Sequence, residues 1–338
     1  MTADVRVLVT GGAGYIGSVL VRKLLARNVA VTVLDNLTYT DAGLRDALRN
    51  DRLRLVAGDV RDRAAVRDAM RGNRVVVHLA AIANDPSGEL DPQLTEEVNF
   101  RAYDVLIDEA RRAGVDRFLN ASTFGVYGRK DEADITEDAP LLPLKAYSAC
   151  KARSESTLRA ADDESFATVS LRCATVCGFS PRLRLDLIVN TLTAHAVVKG
   201  DLVVFGGEQQ RPQIHIDDLT DYFVALIDMR PDGYRGRVYN AGGQNVTIRE
   251  IAETVRDVVG RSVSITYGPV RDDERTYHVN SDRIRRELGL APRRSVRDAI
   301  QDLVDAYRSG LWSDPESDLH HNVARMKRLG VGPVHMQP

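Results

Sequence analysis

Lysine is rare in this chain: it supplies six of the 46 basic residues, and arginine the other forty. The 48 acidic residues are interspersed among them, and the formal net charge is only −2. No field of one sign builds up, so neither nucleic acid nor an anionic membrane is an expected partner. Cysteine is rare too. Cys150, Cys173 and Cys177 are too few for a disulfide framework, and the Cys173/Cys177 spacing has no second pair to complete a zinc site. Reduced, packed thiols are expected. No apolar run approaches the roughly 18 residues of a membrane span, and the N-terminus reads as a strand rather than a signal peptide. A cytoplasmic protein is the expectation. Repeats, low-complexity stretches and obvious linkers are missing as well. Metal ligands are few: His320 and His321 are adjacent and would point apart on a helix. Asp217 and Asp218 read as the N-cap of the segment that follows, so no metal site is expected.

What is present is a core and a rhythm. A chain of 338 residues, 43 % apolar, is long enough for about two domains of ordinary size. Strand-like runs "VRVLVT", "VAVTVLD", "LRLVAGD", "RVVVHLA", "DRFLNAS" and "FATVSLRC" alternate with helix-like runs at 17–28, 62–71, 94–113 and 147–161. That alternation predicts an α/β fold: a doubly wound parallel sheet covered on both faces. After Arg172 the rhythm breaks. The expected organisation is a nucleotide-binding domain over 1–172, with returns near 210–243 and 281–288. A smaller, discontinuous substrate lobe takes 173–209 and 244–330.

The turn "TGGAGYIG" leaves the first strand and opens the first helix. Gly12, Gly14 and Gly17 fit one dinucleotide spacing, and Gly11, Gly14 and Gly17 another. In either case glycines let the backbone approach a pyrophosphate, and the helix N-terminus supplies free N–H groups. Asp35, at the end of the second strand run, would accept hydrogen bonds from an adenosine ribose and repel a 2′-phosphate, which favours NAD over NADP. Asp59 in "AGDV" ends the third run; it either meets an adenine edge or caps the next helix. "HLAA" brings small residues to the end of the fourth run, with His78 expected as a strand histidine and not an acid or base.

"AYSACK" puts Tyr147 and Lys151 four residues apart, on one face of a helix. An ammonium beside a phenol, with a cationic nicotinamide ring nearby, favours phenolate, so the two are expected to lower the Tyr147 pKa and make it a proton acceptor for an alcohol. Ser122 and Thr123 close the fifth strand run and carry hydroxyls to the sheet edge where ligands of α/β proteins bind.

With these pieces together, nearly the whole chain resembles the extended short-chain dehydrogenase/reductases that modify nucleotide sugars. "TGGAGYIG", Asp35, "GDV", "HLAA", "VNF", "STFGVYG", "YSACK", "QQRPQIHIDDL" and "DDERTYHVNSDR" carry the likeness. The resemblance implies a Rossmann-type sheet with a smaller C-terminal substrate lobe, and bound NAD. It selects Gly11, Gly14 and Gly17 as the working glycines, with Gly12 incidental. Its cofactor contacts are those three with Tyr15 and Ile16, then Asp35, Asn36, Asp59, Val60, Leu79, Ala80, Ala81, Asn99, Tyr147 and Lys151. It implies Thr123, Tyr147 and Lys151 as the catalytic group, and Asn84, Thr123, Tyr147, Thr175, Asn190, Arg211 and Arg275 as substrate contacts. Sugar 4,6-dehydratases of the family carry Asp-Glu directly after the catalytic Thr; here Phe124 and Gly125 follow it. The likeness is therefore nearest to UDP-glucose 4-epimerase-like enzymes, acting on a UDP-sugar or, failing that, a dTDP-, GDP- or CDP-sugar. A dehydratase, a reductase, an epimerase at another carbon, and a non-catalytic NAD-sensing regulator are the alternatives. The resemblance further implies a homodimer paired through the helices at 94–113 and 147–161.

Overall fold

Val7 and Val9 face one apolar core and Leu8 the other, the pattern of a strand buried on both sides. They belong to β1 (Arg6–Thr10) in a computed structural model that describes residues 5–129, 134–269 and 278–331. Each strand run read from the sequence forms a strand: after β1 come β2 (Ala30–Asp35), β3 (Leu53–Ala57), β4 (Val75–His78), β5 (Arg117–Thr123) and β6 (Ala167–Cys173). Between them lie α1 (Tyr15–Ala26), α2 (Arg63–Met70), the short α3 (Asp85–Gly88) and α4 (Pro92–Glu96), α5 (Ala102–Arg112) and α6 (Ala146–Ala160). The later chain adds β7 (Thr175–Cys177), α7 (Ile188–Lys199), β8 (Asp201–Phe205), β9 (Gln210–His215), α8 (Ile216–Asp228) and β10 (Arg237–Ala241). It ends with β11 (Gln244–Thr247), α9 (Ile248–Val259), β12 (Ser264–Gly268), α10 (Asp282–Leu288), α11 (Val296–Arg308) and α12 (Asn322–Arg328).

The central sheet has seven strands in the order β3-β2-β1-β4-β5-β6-β10, every pair parallel. The fold is thus doubly wound. Its order reverses between β1 and β4, so the connections leaving those two strands turn to opposite sides and open a crevice at their C-terminal ends. Helices α1 and α8 pack together on one face, α2 and α5 on the other.

The single helix expected over 94–113 is broken. Residues Glu97–Arg101 form a π-helical turn between α4 and α5, and π-turns of this kind often mark a functional position. The apolar residues Leu106 and Ala110 of α5 and Leu158 of α6 are all buried in the core over their own sheet.

Within 210–243, β9 pairs with β7 and β11 in a separate three-stranded sheet, whereas β10 adds the seventh strand of the main one. The parallel pair β8–β12 and helices α7, α9 and α11 surround a third core around Val189, Leu202, Ile251 and Ile300. Capping boxes, Thr247 with Glu250 and Ser295 with Asp298, start α9 and α11. Asp217 and Asp218 do not cap α8 as expected. His215 does, its Nδ1 accepting the Asp217 N–H at 3.1 Å, which puts the two acids in the first turn. No helix among the described residues is long and apolar enough to cross a membrane.

Candidate active site

Two adjoining cavities open in the crevice. Tyr15, Ile16, Leu79, Ala81, Ala83 and Arg184 line both. The first lies over the glycine turn. Gly11 has φ +71°, and a Cβ there would stand 2.6 Å from Ala80 N; a Cβ on Gly17 would overlap Gly11 O. The turn is therefore pressed against the end of β4, and the N-terminus of α1, capped by Gly14 with no acid in its first turn, faces the cavity. Gly12 is not incidental to the fold: its Cβ would lie 2.6 Å from Val33 Cγ2, so it allows the turn to pack on β2.

Asp35 ends β2 in the same cavity, its carboxylate accepting the N–H groups of Ala13 at 3.0 Å and Leu37 at 2.9 Å. Burial raises its pKa, although those two bonds oppose the rise. Each oxygen keeps an acceptor site for a ribose hydroxyl. Asn36, Asp59, Val60, Leu79, Ala80 and Ala81 complete this end. The capping alternative for Asp59 fails, because Asp62 caps α2. Burial opposes ionisation of Asp59, but hydrogen bonds from the Arg61 side chain and backbone outweigh it and hold the carboxyl below its usual range. A glycine cradle, a donor-only helix end and a buried acid at the ribose position fit a dinucleotide.

Asn99 lines neither cavity. Its Oδ1 accepts the Ile82 N–H and its Nδ2 donates to Ile82 O, both at 2.9 Å, so it ties the loop after β4 to the π-turn. His78 is the strand histidine expected: buried, bonded through Nδ1 to Thr10 Oγ1 at 2.7 Å, and held well below its ordinary pKa by burial.

The second cavity holds Thr123, Tyr147 and Lys151 together. Thr123 ends β5 and its Oγ1 accepts the Gly125 N–H at 3.1 Å. Lys151, 2 % exposed, donates to Ala121 O at 2.8 Å, and burial lowers its pKa to about 8. Lys151 by itself does not acidify Tyr147; the expectation also counts the positive charge of the oxidised nicotinamide. Burial raises the Tyr147 pKa well above the ordinary value, and the fields of Cys173 and Asp85 add to the rise. The partly buried ring leaves a phenolate short of water, while the Lys151 ammonium is itself desolvated and turned to a carbonyl. The three cysteines are free and buried, as expected.

Of the substrate contacts the sequence suggested, Asn84 and Thr175 line this second cavity. Asn84 has φ +75° and caps α3. Asn190 does not reach a cavity. It is fully buried, its Oδ1 accepting the Gly178 N–H at 3.0 Å and its Nδ2 donating to Arg184 O at 2.8 Å and Tyr15 Oη at 3.1 Å. Arg211 stands on β9 opposite Val246, donates to Gln210 O and lines neither cavity. Arg275 lies outside the described residues.

The residues missed are Arg182, Arg184, Asp186 and Asn322. In "PRLRLD", Leu183 and Leu185 enter an apolar cluster with Trp312, while Arg182 and Arg184 line the cavities. This period-two alternation is visible in the sequence, inside the stretch 173–209 assigned there only to the smaller lobe. Asn322 and Met326 of α12 close the first cavity from above. The one metal-like cluster among the described residues, His215, Asp217 and Asp302, is laced with cations. Lys23 lies 3.0 Å and Arg294 3.3 Å from the Asp217 carboxylate.

Comparison with known proteins agrees with this geometry. Residues 7–242 match the model of the NAD dependent epimerase/dehydratase family. A dTDP-glucose 4,6-dehydratase of Streptomyces griseus is 35 % identical over 325 residues, 91 % of this chain and 96 % of the relative. A UDP-glucose 4-epimerase of Azospirillum brasilense is 32 % identical over 319 residues, 88 % of this chain and 90 % of the relative. The crystal structure of the dTDP-glucose 4,6-dehydratase DesIV of Streptomyces venezuelae, with NAD bound, superposes with a TM-score of 0.82 at 31 % identity. It covers 92 % of this chain and 100 % of that one. NAD is the cofactor, and the chain belongs to the NAD dependent epimerase/dehydratase family, with the fold of the extended short-chain dehydrogenase/reductases.

Proposed function

We propose that the protein is an NDP-sugar 4-epimerase. Among the described residues, the second cavity is lined by no aspartate, glutamate or histidine. That observation carries the reading. Dehydration of a sugar needs a second acid–base group beside the phenol to move a proton and release water. Here Phe124 is buried, and Gly125 has no side chain. Epimerisation at carbon 4 needs only the phenol, provided the sugar can turn between two hydride transfers.

Bound NAD accepts the hydride from carbon 4 and gives it back. The chain's residues do the rest. Thr123 orients the carbon-4 hydroxyl, and Tyr147 takes its proton at Oη, returning it when the opposite configuration forms. Lys151 holds the ribose side of the site, and its positive charge favours the phenolate form that Tyr147 must have before it takes the proton. NAD is unchanged over the cycle, so tight retention is expected. UDP-sugars head the expected substrates, in keeping with the Azospirillum relative's name, and the active form is expected to be a dimer.

Asp85 favours a second reading. Its field acts on Tyr147, and in a dehydratase it would have to serve as the missing acid. The deciding experiment incubates the enzyme with a panel of NDP-sugars deuterated at carbon 4 and follows label and mass by NMR and mass spectrometry. An epimer of unchanged mass with deuterium kept at carbon 4 is expected. Loss of one water selects the dehydratase. No reaction and no reduced-nicotinamide absorbance with any sugar selects the regulator.

A further inference from the structure

Arg182 is 5 % exposed, yet it makes no ion pair with a carboxylate among the described residues. One terminal nitrogen donates to Asn322 Oδ1 at 2.7 Å, the guanidinium lies 3.8 Å from the centre of the Tyr39 ring, and Nε has no hydrogen-bond partner. Its neighbour differs. Arg184 is neutralised by Asp186 through two bonds of 2.9 and 3.0 Å. A buried guanidinium without a counter-ion is costly to keep. Burial, aided by the like charge of Arg184, pushes the Arg182 pKa down to about 10, although Tyr39, Asp186 and Asp35 pull the other way.

The side chain lines the first cavity together with Gly14, Tyr15 and Ile16 at the N-terminus of α1. Arg182 and the N-terminus of α1 thus offer donors to one and the same cavity. A guanidinium fork and a helix end are together suited to an acceptor-rich anion of phosphate type. We propose that Arg182 is the counter-charge of the pyrophosphate of the bound dinucleotide, clamping it against the N-terminus of α1. The segment that supplies it comes from beyond β7, and Asn322 of α12 steadies it, so two distant pieces of chain close over the cofactor. The inference rests on NAD as the cofactor and not on the reaction with the sugar.

Dissociation constants of the full chain for NAD, ADP-ribose, adenosine, NADP and UDP test it without any turnover. In Arg182→Gln, NAD and ADP-ribose should weaken alike by roughly ten- to a hundredfold, the range of a hydrogen bond to a charged group. Adenosine, which has no phosphate, should bind unchanged. The melting temperature of the dinucleotide-free variant should not fall, because the group removed is an uncompensated charge. Unchanged affinity for NAD overturns the proposal. An equal loss for adenosine overturns it too, in favour of a structural role for the Asn322 contact. A loss confined to NADP or to UDP reassigns Arg182 to a 2′-phosphate or to the substrate diphosphate. Should Arg182→Gln not fold, Arg182→Lys decides: weakened ADP-ribose with unchanged adenosine supports the clamp, and no change in either refutes it.

Discussion

Arg172 grips both carboxylate oxygens of Glu155, one helical turn beyond Lys151, with Nε 3.1 Å from each and one terminal nitrogen 2.8 Å from Oε2. The side chains are 6 % and 4 % exposed. The same carboxylate takes the Ser122 hydroxyl, and Arg172 also donates to Tyr127 Oη at 2.9 Å. The pair therefore bolts α6 to β5 and β6 directly beneath Tyr147 and Lys151. A one-sided break should be worse than removal of both partners, because it strands a buried charge. Glu155→Gln is expected to cost about 3 to 5 kcal/mol. Glu155→Leu combined with Arg172→Met should recover much of that loss. Chemical denaturation of the parent and the two variants checks the ordering; a double variant no more stable than Glu155→Gln would refute it.

Much of the main domain was legible because burial on both faces writes strands as apolar runs, and glycines announce the turn that needs them. Gly11, Gly17 and Asp35 could be read locally, since backbone approach and strand ends are local facts. Asn99 and Asn190 could not. An asparagine bonded to the backbone of Ile82 or Gly178 carries the same letters as one facing a ligand, and only tertiary contacts separate them. Tyr147 is half legible. Sequence spacing reveals Lys151 on the same helix face, but not how far the phenol is desolvated in the fold. Arg182 and Arg184 were hidden for the opposite reason. Their alternation with Leu183 and Leu185 is plain, but no hydrogen-bonded strand or helix frames it.

Lys151 gives a pH dependence whose sign can be worked out. Its folded pKa, about 8, lies below the unfolded value of about 10.5, so the unfolded chain holds more protons between those limits. Lys151 therefore contributes a rise in the stability of the dinucleotide-free protein as pH increases from about 8, against which the buried thiols of Cys150, Cys173 and Cys177, raised by burial, pull above about pH 9. The charged form carries a penalty of order 3 kcal/mol below that pH. Above about pH 10 the buried phenols, Tyr103 and Tyr222 among them, have raised pKa values and pull stability down. Lys151→Met should remove that contribution of the lysine, so the variant's stability should fall more steeply, or rise less, than the parent's between pH 8 and 10, and urea titrations across that window measure the difference. A slope unchanged in the variant would assign the rise to other groups.

Two glycines of one turn should fail differently. A methyl at Gly17 meets backbone, Gly11 O, which cannot yield without moving the turn itself. Gly17→Ala is expected to lose NAD along with stability. A methyl at Gly12 meets only the Val33 side chain, an overpacking that typically costs about 1 to 3 kcal/mol. Gly12→Ala should therefore melt earlier yet bind NAD with unchanged affinity once folded. Thermal melts and NAD titrations on the pair separate packing from ligand contact.

Asn190 distinguishes what the resemblance implies from what the geometry supports. A contact to the substrate diphosphate would make Asn190→Ala raise KM for the nucleotide sugar. In the fold every polar atom of that side chain is already engaged, and its loss strands the buried Gly178 N–H and the Arg184 carbonyl. Each stranded group costs about 1 to 3 kcal/mol. The expected result is therefore a lowered melting temperature with KM unchanged at temperatures where the variant stays folded. Asn190→Asp sharpens the comparison. It keeps the acceptor for Gly178 but sets a carboxylate against the carbonyls of Gly178 and Arg184, so it too should destabilise. Were the diphosphate nearby, the added negative charge would instead act chiefly on KM. Melting curves and saturation kinetics on both variants decide between a strut joining β7 to α7 and a ligand contact.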